Sequence, residues 1–364
     1  MKIGILTVPF NNNYGGFLQA FALKRVLQDM GHEVVFINRR RNKSTEFNYK
    51  VIIKNILIKL GICKDKIKGI SKYTEQFQKE YLYPYTEEYY TKEELRKCLD
   101  YKFDSVVVGS DQVWRYKSAG DSIDDFFCNF LEGTNIPHFS YAASMGKDEL
   151  EYPQEKIEVC TKLLKGFKAV SVREQSAADI LKKYFDVEDV QVVIDPTLLL
   201  DKQVYKDLFK NKYDKPQKPY VFTYVLDEKQ ELREAIDGFA SKRCLDIVNL
   251  RAQTGNLKEI KVIEPVEKWL SALYYSDYVV TDSFHGVVFS IIFNKPFVVY
   301  GNMRTGISRL DYLLGLLGIR ERLMSSCNEL SGLFETSIDW NVLNKRIDEK
   351  REYSFSFLKE ALKQ

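Results

Sequence analysis

The chain has 364 residues, 45% hydrophobic and 29% charged, with a formal net charge of only +3. That is about twice the usual single-domain length, so two domains sharing a cleft are expected, and the composition excludes a disordered or fibrous chain. No run approaches the ~20 apolar residues of a membrane span, and the six cysteines (63, 98, 128, 160, 244 and 327) form no CxxC pair and flank no histidine at ligand spacing, which argues against zinc.

The opening MKIGILTVPF is too short an apolar run for a signal peptide and reads as a first buried strand, so a cytoplasmic protein is expected. "NNNYGG" follows as a turn cluster. "FLQAFALKRVLQDMGH" has helical spacing through Leu18, Phe21, Ala22, Arg25 and Leu27 and closes on Gly31. "EVVFIN" (33–38) is the next strand. This is a βαβ unit without GxGxxG, so it carries no dinucleotide fingerprint.

Residues 45–100 are rich in Lys, Glu and Tyr and read as a helical insertion. Within 39–73, eleven Lys/Arg stand against Glu46 and Asp65, a local +9 that leaves −6 for the remainder. Apolar residues from Val51 to Leu60 interleave the lysines. One reading is a surface helix with a solvated face. The other is a basic amphipathic element that rests on anionic lipid or grips a phosphorylated acceptor, placing the protein at the inner face of the membrane. No nucleic-acid motif accompanies the charge, so nucleic acid is not expected as a partner.

Strands and helices then alternate. "FDSVVVGSDQVW" (103–114), "HFSYAAS", "AVSVRE" and "VQVVIDPTLLL" are strands, with "EKIEVCTKLLKGF" and the segment after Arg173 helical. The polar "DKQVYKDLFKNKYDKPQKPY" reads as an interdomain linker. A second series follows: "YVFTYVLD", a helix over 229–242, "LDIVNL", a helix at "VEKWLSALYYS", "DYVVTDS", the helix "VVFSIIFN" and "PFVVY". This predicts an α/β chain of two Rossmann-like, doubly wound parallel domains, 1–215 and 216–345. A terminal helix over 346–364 is expected to dock on the first domain.

In such sheets ligands bind beyond the carboxyl ends of the strands, and four polar clusters fall there. In "TDSFHG", Gly286 permits a tight helix start whose N–H groups suit an anion, and His285 can donate or accept a proton near neutrality. Asp282 and Ser283 fit N-capping equally well. Arg173 in "SVRE" can fork onto a carboxylate or phosphate, or pair with Glu174. Arg304 and Arg309 are further anion candidates. In "GSDQVW", Asp111 can act as a base on a hydroxyl, Gln112 can bind a sugar and Trp114 can stack on one, while Ser110 fits a turn closed on its own backbone. Asn13, Tyr14 and Gly15 offer flexible backbone near an acceptor. "DSIDD" (121–125) lacks metal-site spacing and reads as a solvated loop.

"NYGGFLQAFAL", "VVVGSDQVW", "SVRE", "IDPTLLL" and "SDYVVTDSFHGVVFSIIFNKPFVVY" occur in an order and spacing that resembles the polysaccharide pyruvyl transferase family. The resemblance implies a fold similar to the two-Rossmann GT-B glycosyltransferases, with the active site between the domains. It implies transfer of the enolpyruvyl unit of phosphoenolpyruvate, a co-substrate rather than a cofactor, to two hydroxyls of one sugar. The products would be a cyclic pyruvate ketal and phosphate, and the acceptor a lipid-linked cell-surface oligosaccharide. The family's donor-site histidine falls on His285 and its donor-binding arginine on Arg173. Many members have Arg-Leu-His where this chain has Ser283-Phe284-His285, so the expectation is either that Arg304 or Arg309 substitutes in holding the phosphate or that this branch uses a different donor. A GT-B glycosyltransferase using a nucleotide sugar, or a non-catalytic glycan-binding relative, would share the fold.

Overall fold

The structure is a computed structural model that describes residues 1–10, 13–40, 71–227, 229–250, 263–301 and 307–363. Arg304 and most of the basic 39–73 segment (41–70) lie outside the described residues.

The first sheet is parallel, in the order β2-β1-β3-β4. Its strands are β1 (Lys2–Leu6), β2 (Glu33–Ile37), β3 (Ser105–Val108) and β4 (His138–Ser140). β5 (Val170–Val172) and β6 (Val190–Val192) pair with each other, and single bridges from Phe139 to Ala169 and from Ala143 to Val172 set β5 beside β4. The second sheet is also parallel, in the order β11-β10-β9-β7-β8. Its strands are β7 (Tyr220–Tyr224), β8 (Asp246–Asn249), β9 (Tyr278–Thr281), β10 (Phe297–Tyr300) and β11 (Leu323–Met324). β1, β3, β7 and β9 are short Val/Ile/Tyr-rich runs because a parallel strand covered on both faces has no polar side.

Helix α1 (Tyr14–Asp29) follows β1. It is buried without interruption from Tyr14 to Lys24 and exposed only towards its end. A helix apolar all round must be covered all round. One side of α1 lies on the first sheet, and its first turn meets the second domain. Helices α2 (Gln154–Leu164) and α3 (Gln175–Phe185) flank β5, while α4 (Lys202–Phe209) occupies the segment read above as linker. That expectation fails for a packing reason. Asp201 caps α4, and its Tyr205 and Phe209 rings are buried against Phe289 (4.8 Å) and Tyr274 (5.4 Å) of the second domain.

In the second domain, α5 (Gln230–Lys242), α6 (Val266–Tyr275), α7 (Phe284–Ile292) and α8 (Ile307–Leu317) alternate with the strands. The terminal helix α9 starts at Trp340, earlier than the 346 expected, because Asp339 caps it, and it runs to Ala361. Its Ser354 hydroxyl accepts from the Ile194 N–H at 3.1 Å and its Arg351 Nε donates to the Leu198 carbonyl at 2.9 Å. One continuous apolar cluster contains Ile3, Ile5 and Val107 of the first sheet and Phe222, Val279 and Phe297 of the second. Among the described residues, no helix is long and apolar enough to cross a membrane.

Candidate active site

The carboxyl ends of β3, β5 and β6 and the starts of α1 and α7 converge on one buried group of charges. At its centre is Arg173, directly after β5, with its side chain 1% exposed. Its Nη1 lies 2.9 Å from Asp195 Oδ2, its Nη2 3.2 Å from Asp111 Oδ1 and its Nε 3.5 Å from Glu174 Oε2. The Phe284 ring covers the guanidinium at 4.6 Å. Burial pushes the Arg173 pKa down, but the three carboxylates outweigh it and hold the guanidinium charged.

Asp195 is the best-satisfied member. Oδ1 accepts from the Thr197 N–H at 3.0 Å and the Thr197 hydroxyl at 2.7 Å, and Oδ2 accepts from the Ser110 hydroxyl at 3.2 Å and Arg173 at 2.9 Å. The local cause is "DPT": Asp195 caps the 3₁₀ turn Pro196–Leu199, with Pro196 pre-setting its first residue. Although full burial pushes its carboxyl upward, His285, Arg173 and Thr197 together hold it well below the usual carboxylate range.

His285 arrives from the other domain. Its Nε2 lies 3.6 Å from Asp195 Oδ2, an ion-pair distance rather than a hydrogen bond. Its ring also lies against the first turn of α1, where a Cβ added to Gly15 would sit 2.0 Å from Nδ1. Glycine is required there because the imidazole fills the space. Gly15→Ala should therefore overpack the site and cost about 1–3 kcal/mol. Gly16→Ala, whose Cβ would come no nearer than 3.9 Å to Asp111 Oδ2, should be tolerated. Thermal denaturation of the two variants checks this; equal melting temperatures would contradict it.

The start of α7 differs from expectation. Ser283 is its N-cap, and its hydroxyl accepts from the Gly286 N–H at 3.4 Å, so the N–H expected to meet an anion already has a partner. Gly286 serves close packing instead: a Cβ would lie 2.2 Å from Thr281 Oγ1. Asp282 does not cap α7 but accepts from the Leu226 and Asp227 N–H groups at 2.6 and 3.0 Å, closing the end of β7. Arg309 of α8 is buried, and desolvation, with Arg173 nearby, lowers its pKa to about 10.

The other expected positions separate. Asp111 joins the group on a left-handed backbone (φ 75°), a conformation uncommon outside glycine, which is often stored at functional sites. Ser110 closes no turn on its own side chain, since its hydroxyl is spent on Asp195. Gln112 is half-buried and accepts from Arg115 at 2.9 Å, beside a recess lined by Val8, Pro9, Arg39 and Phe126. Asn13 is exposed and caps α1. Tyr14 and Gly15 are not flexible loop but the first turn of α1. The Tyr14 ring stacks on Trp269 at 5.5 Å and its hydroxyl donates to the Glu264 carbonyl, so it joins the domains and offers no face to a sugar. Trp114 is fully buried, stacked on Phe127 with its N–H given to the Phe126 carbonyl, and cannot stack on a ligand. Asp125 of "DSIDD" is no solvated residue, because Arg39 Nε meets it at 2.6 Å in the core. Reading the sequence missed Asp195 as a site residue; the only local signal was an Asp-Pro at a strand end.

Comparison with solved structures gives the chain a two-Rossmann, GT-B-type fold. It is similar to a putative UDP-N-acetylglucosamine 2-epimerase from Listeria monocytogenes (TM-score 0.53, 12% identity, 97% of this chain and 91% of that one). It is also similar to the UDP-GlcNAc 2-epimerases of Methanocaldococcus jannaschii (0.51, 14%, 99% and 99%) and Neisseria meningitidis (0.50, 11%, 98% and 99%). At such identities the likeness is one of fold. No curated protein gave a match. The family model for polysaccharide pyruvyl transferases matches residues 13–303, beginning at the cap of α1, and so takes in Asp111, Arg173, Asp195 and His285. The chain belongs to the polysaccharide pyruvyl transferase family.

Proposed function

We propose that this chain moves the enolpyruvyl unit of phosphoenolpyruvate onto two hydroxyls of one sugar, in a cell-surface polysaccharide or its lipid-linked precursor. A cyclic pyruvate ketal forms and phosphate leaves. The observation that carries the reading is the pairing of His285 with the anchored Asp195 across the domain boundary, inside the stretch that matches the family.

The chemistry needs a proton on the methylene carbon, charge stabilisation at C2 and removal of hydroxyl protons. Asp195 is fixed by its own donors, so it can hold the imidazole in place and stabilise it when protonated. His285 then delivers the proton to carbon. Asp111, whose Oδ1 is anchored on Arg173, offers negative charge to the cationic C2 and takes a proton from the first hydroxyl. Arg173 departs from the expected role. With three carboxylates and a ring around it, it is the counter-ion that holds the acidic groups, not an open fork for the donor. The phosphate falls instead to Arg309, a buried cation whose charge is worth more away from water. His285, Arg173, Glu174 and Arg309 are each less than a tenth exposed, so the closed site excludes water that would otherwise capture C2 in place of the second hydroxyl.

The test is incubation with phosphoenolpyruvate and a panel of galactosyl and mannosyl acceptors. Phosphate release with a mass gain of one pyruvylidene group is expected. Transfer from a nucleotide sugar with phosphoenolpyruvate unused would replace this reading by a glycosyltransferase. Glycan binding without turnover would mark a non-catalytic relative.

A further inference from the structure

Glu174 has no part in the scheme above, and its surroundings are unusual for a structural carboxylate. It is 2% exposed, and neither of its oxygens has a hydrogen-bond donor. It occupies the N-cap position of α3, where a carboxylate ordinarily accepts from the first-turn N–H groups, yet it makes no such bond. Its Oε2 lies instead 3.5 Å from the Arg173 Nε, an ion-pair contact. Across the boundary, Arg309 and Tyr312 of α8 feel its charge. A buried carboxylate with an ion pair but no hydrogen bond is incompletely compensated, whereas Asp195 nearby shows how this protein satisfies a carboxylate whose role is fixed. Its oxygens, without hydrogen bonds, lie at the ligand-binding end of the sheet, among the groups proposed to act on the donor.

The two-hydroxyl chemistry needs a second proton acceptor. The first hydroxyl forms a C–O bond to C2 as the methylene gains a proton, so that step only passes a proton along. The second hydroxyl forms the other C–O bond as the C2–O bond to phosphate breaks with its electron pair. The proton lost there must leave the sugar oxygen and end on the departing phosphate. Asp111 lies on one side of Arg173 and Glu174 on another, so one arginine positions both acceptors.

Resting on the pyruvyl-transfer reading, we propose that Glu174 is a catalytic residue: it accepts the hydrogen bond of the second sugar hydroxyl, takes its proton as the ketal closes and passes it to the leaving phosphate.

Glu174→Gln keeps the shape and removes the basicity. Turnover should fall about 100-fold with the melting temperature nearly unchanged. Mass spectrometry of quenched reactions should show phosphorylated, singly attached pyruvyl sugar accumulating, because closure is the slowed step. Turnover within threefold of wild type, or a loss of turnover without that intermediate, would overturn the proposal. If Glu174→Gln fails to fold, Glu174→Asp carries the test, since it keeps the charge on Arg173 and withdraws the oxygens by one methylene. A tenfold loss of turnover in a stable Glu174→Asp supports the role and wild-type turnover overturns it. A wild-type protein that releases no phosphate from phosphoenolpyruvate with any acceptor sinks the pyruvyl-transfer reading itself, and the role of Glu174 with it; an active wild type with an unaffected Glu174→Gln sinks only the latter.

Discussion

Arg173→Met should cost about 3–5 kcal/mol of folding stability, the range for removing one partner of a buried ion cluster. The substitution keeps most of the volume beside Phe284 but strips the counter-ion from Asp111, Asp195 and Glu174, whose side chains are 12%, 0% and 3% exposed. The loss should depend on pH in a fixed direction. In the native protein the Asp195 carboxyl is held below its ordinary value by His285, Arg173 and Thr197 against its burial. A depressed native pKa contributes stability that is fully present above the unfolded value of about 3.9 and is lost as pH falls through the native value. Without Arg173 the burial penalty on Asp195 rises, and protonating Asp195 relieves it. The deficit relative to wild type should therefore be largest near neutrality and narrow towards about pH 4. Urea denaturation at both ends of that range measures it. A deficit constant with pH would mean that the arginine contributes packing alone.

His285→Asn should act the other way, on chemistry more than on stability. The imidazole is 5% exposed and touches Asp195 and the first turn of α1, so its removal leaves a small void and a cost of about 1–2 kcal/mol. Asparagine cannot carry a proton between groups, and loss of a positioned general acid lowers turnover by about 10²–10⁴-fold. Phosphate release at saturating phosphoenolpyruvate and acceptor, compared with melting temperature, separates the two effects. Turnover within threefold of wild type would remove His285 from the mechanism.

The order of elements was legible in the sequence because strand periodicity and glycine punctuation are local signals: β1, α1, β2 and the whole run from β7 to β10 lie where their patterns put them. What local pattern could not carry was tertiary. Tyr14-Gly15-Gly16 reads as a turn, yet it is helical, and Gly15 answers to a histidine from the far end of the chain. The Lys- and Asp-rich stretch after Asp201 reads as linker because its buried Tyr205 and Phe209 are few and their partners, Phe289 and Tyr274, belong to another domain. Trp114 reads as a sugar platform because it follows a strand end; only its packing on Phe127 shows it to be core. At the site itself, residue types that do chemistry were visible at strand ends, whereas the sharing of Arg173 among three carboxylates was not. That depends on β5, β6 and the β3 loop arriving side by side. Asp195 was hidden for the same reason, its role arising only where the end of the first sheet meets the start of α7.

The central claim is that the buried group between the domains is built for an enolpyruvyl phosphate. Titration calorimetry of the protein with phosphoenolpyruvate, in competition with UDP and a UDP-sugar, tests it most directly. Saturable binding of phosphoenolpyruvate that neither nucleotide displaces, weakened at least tenfold in Arg309→Met, is the expected result. Tight binding of the nucleotide with none of phosphoenolpyruvate would contradict it.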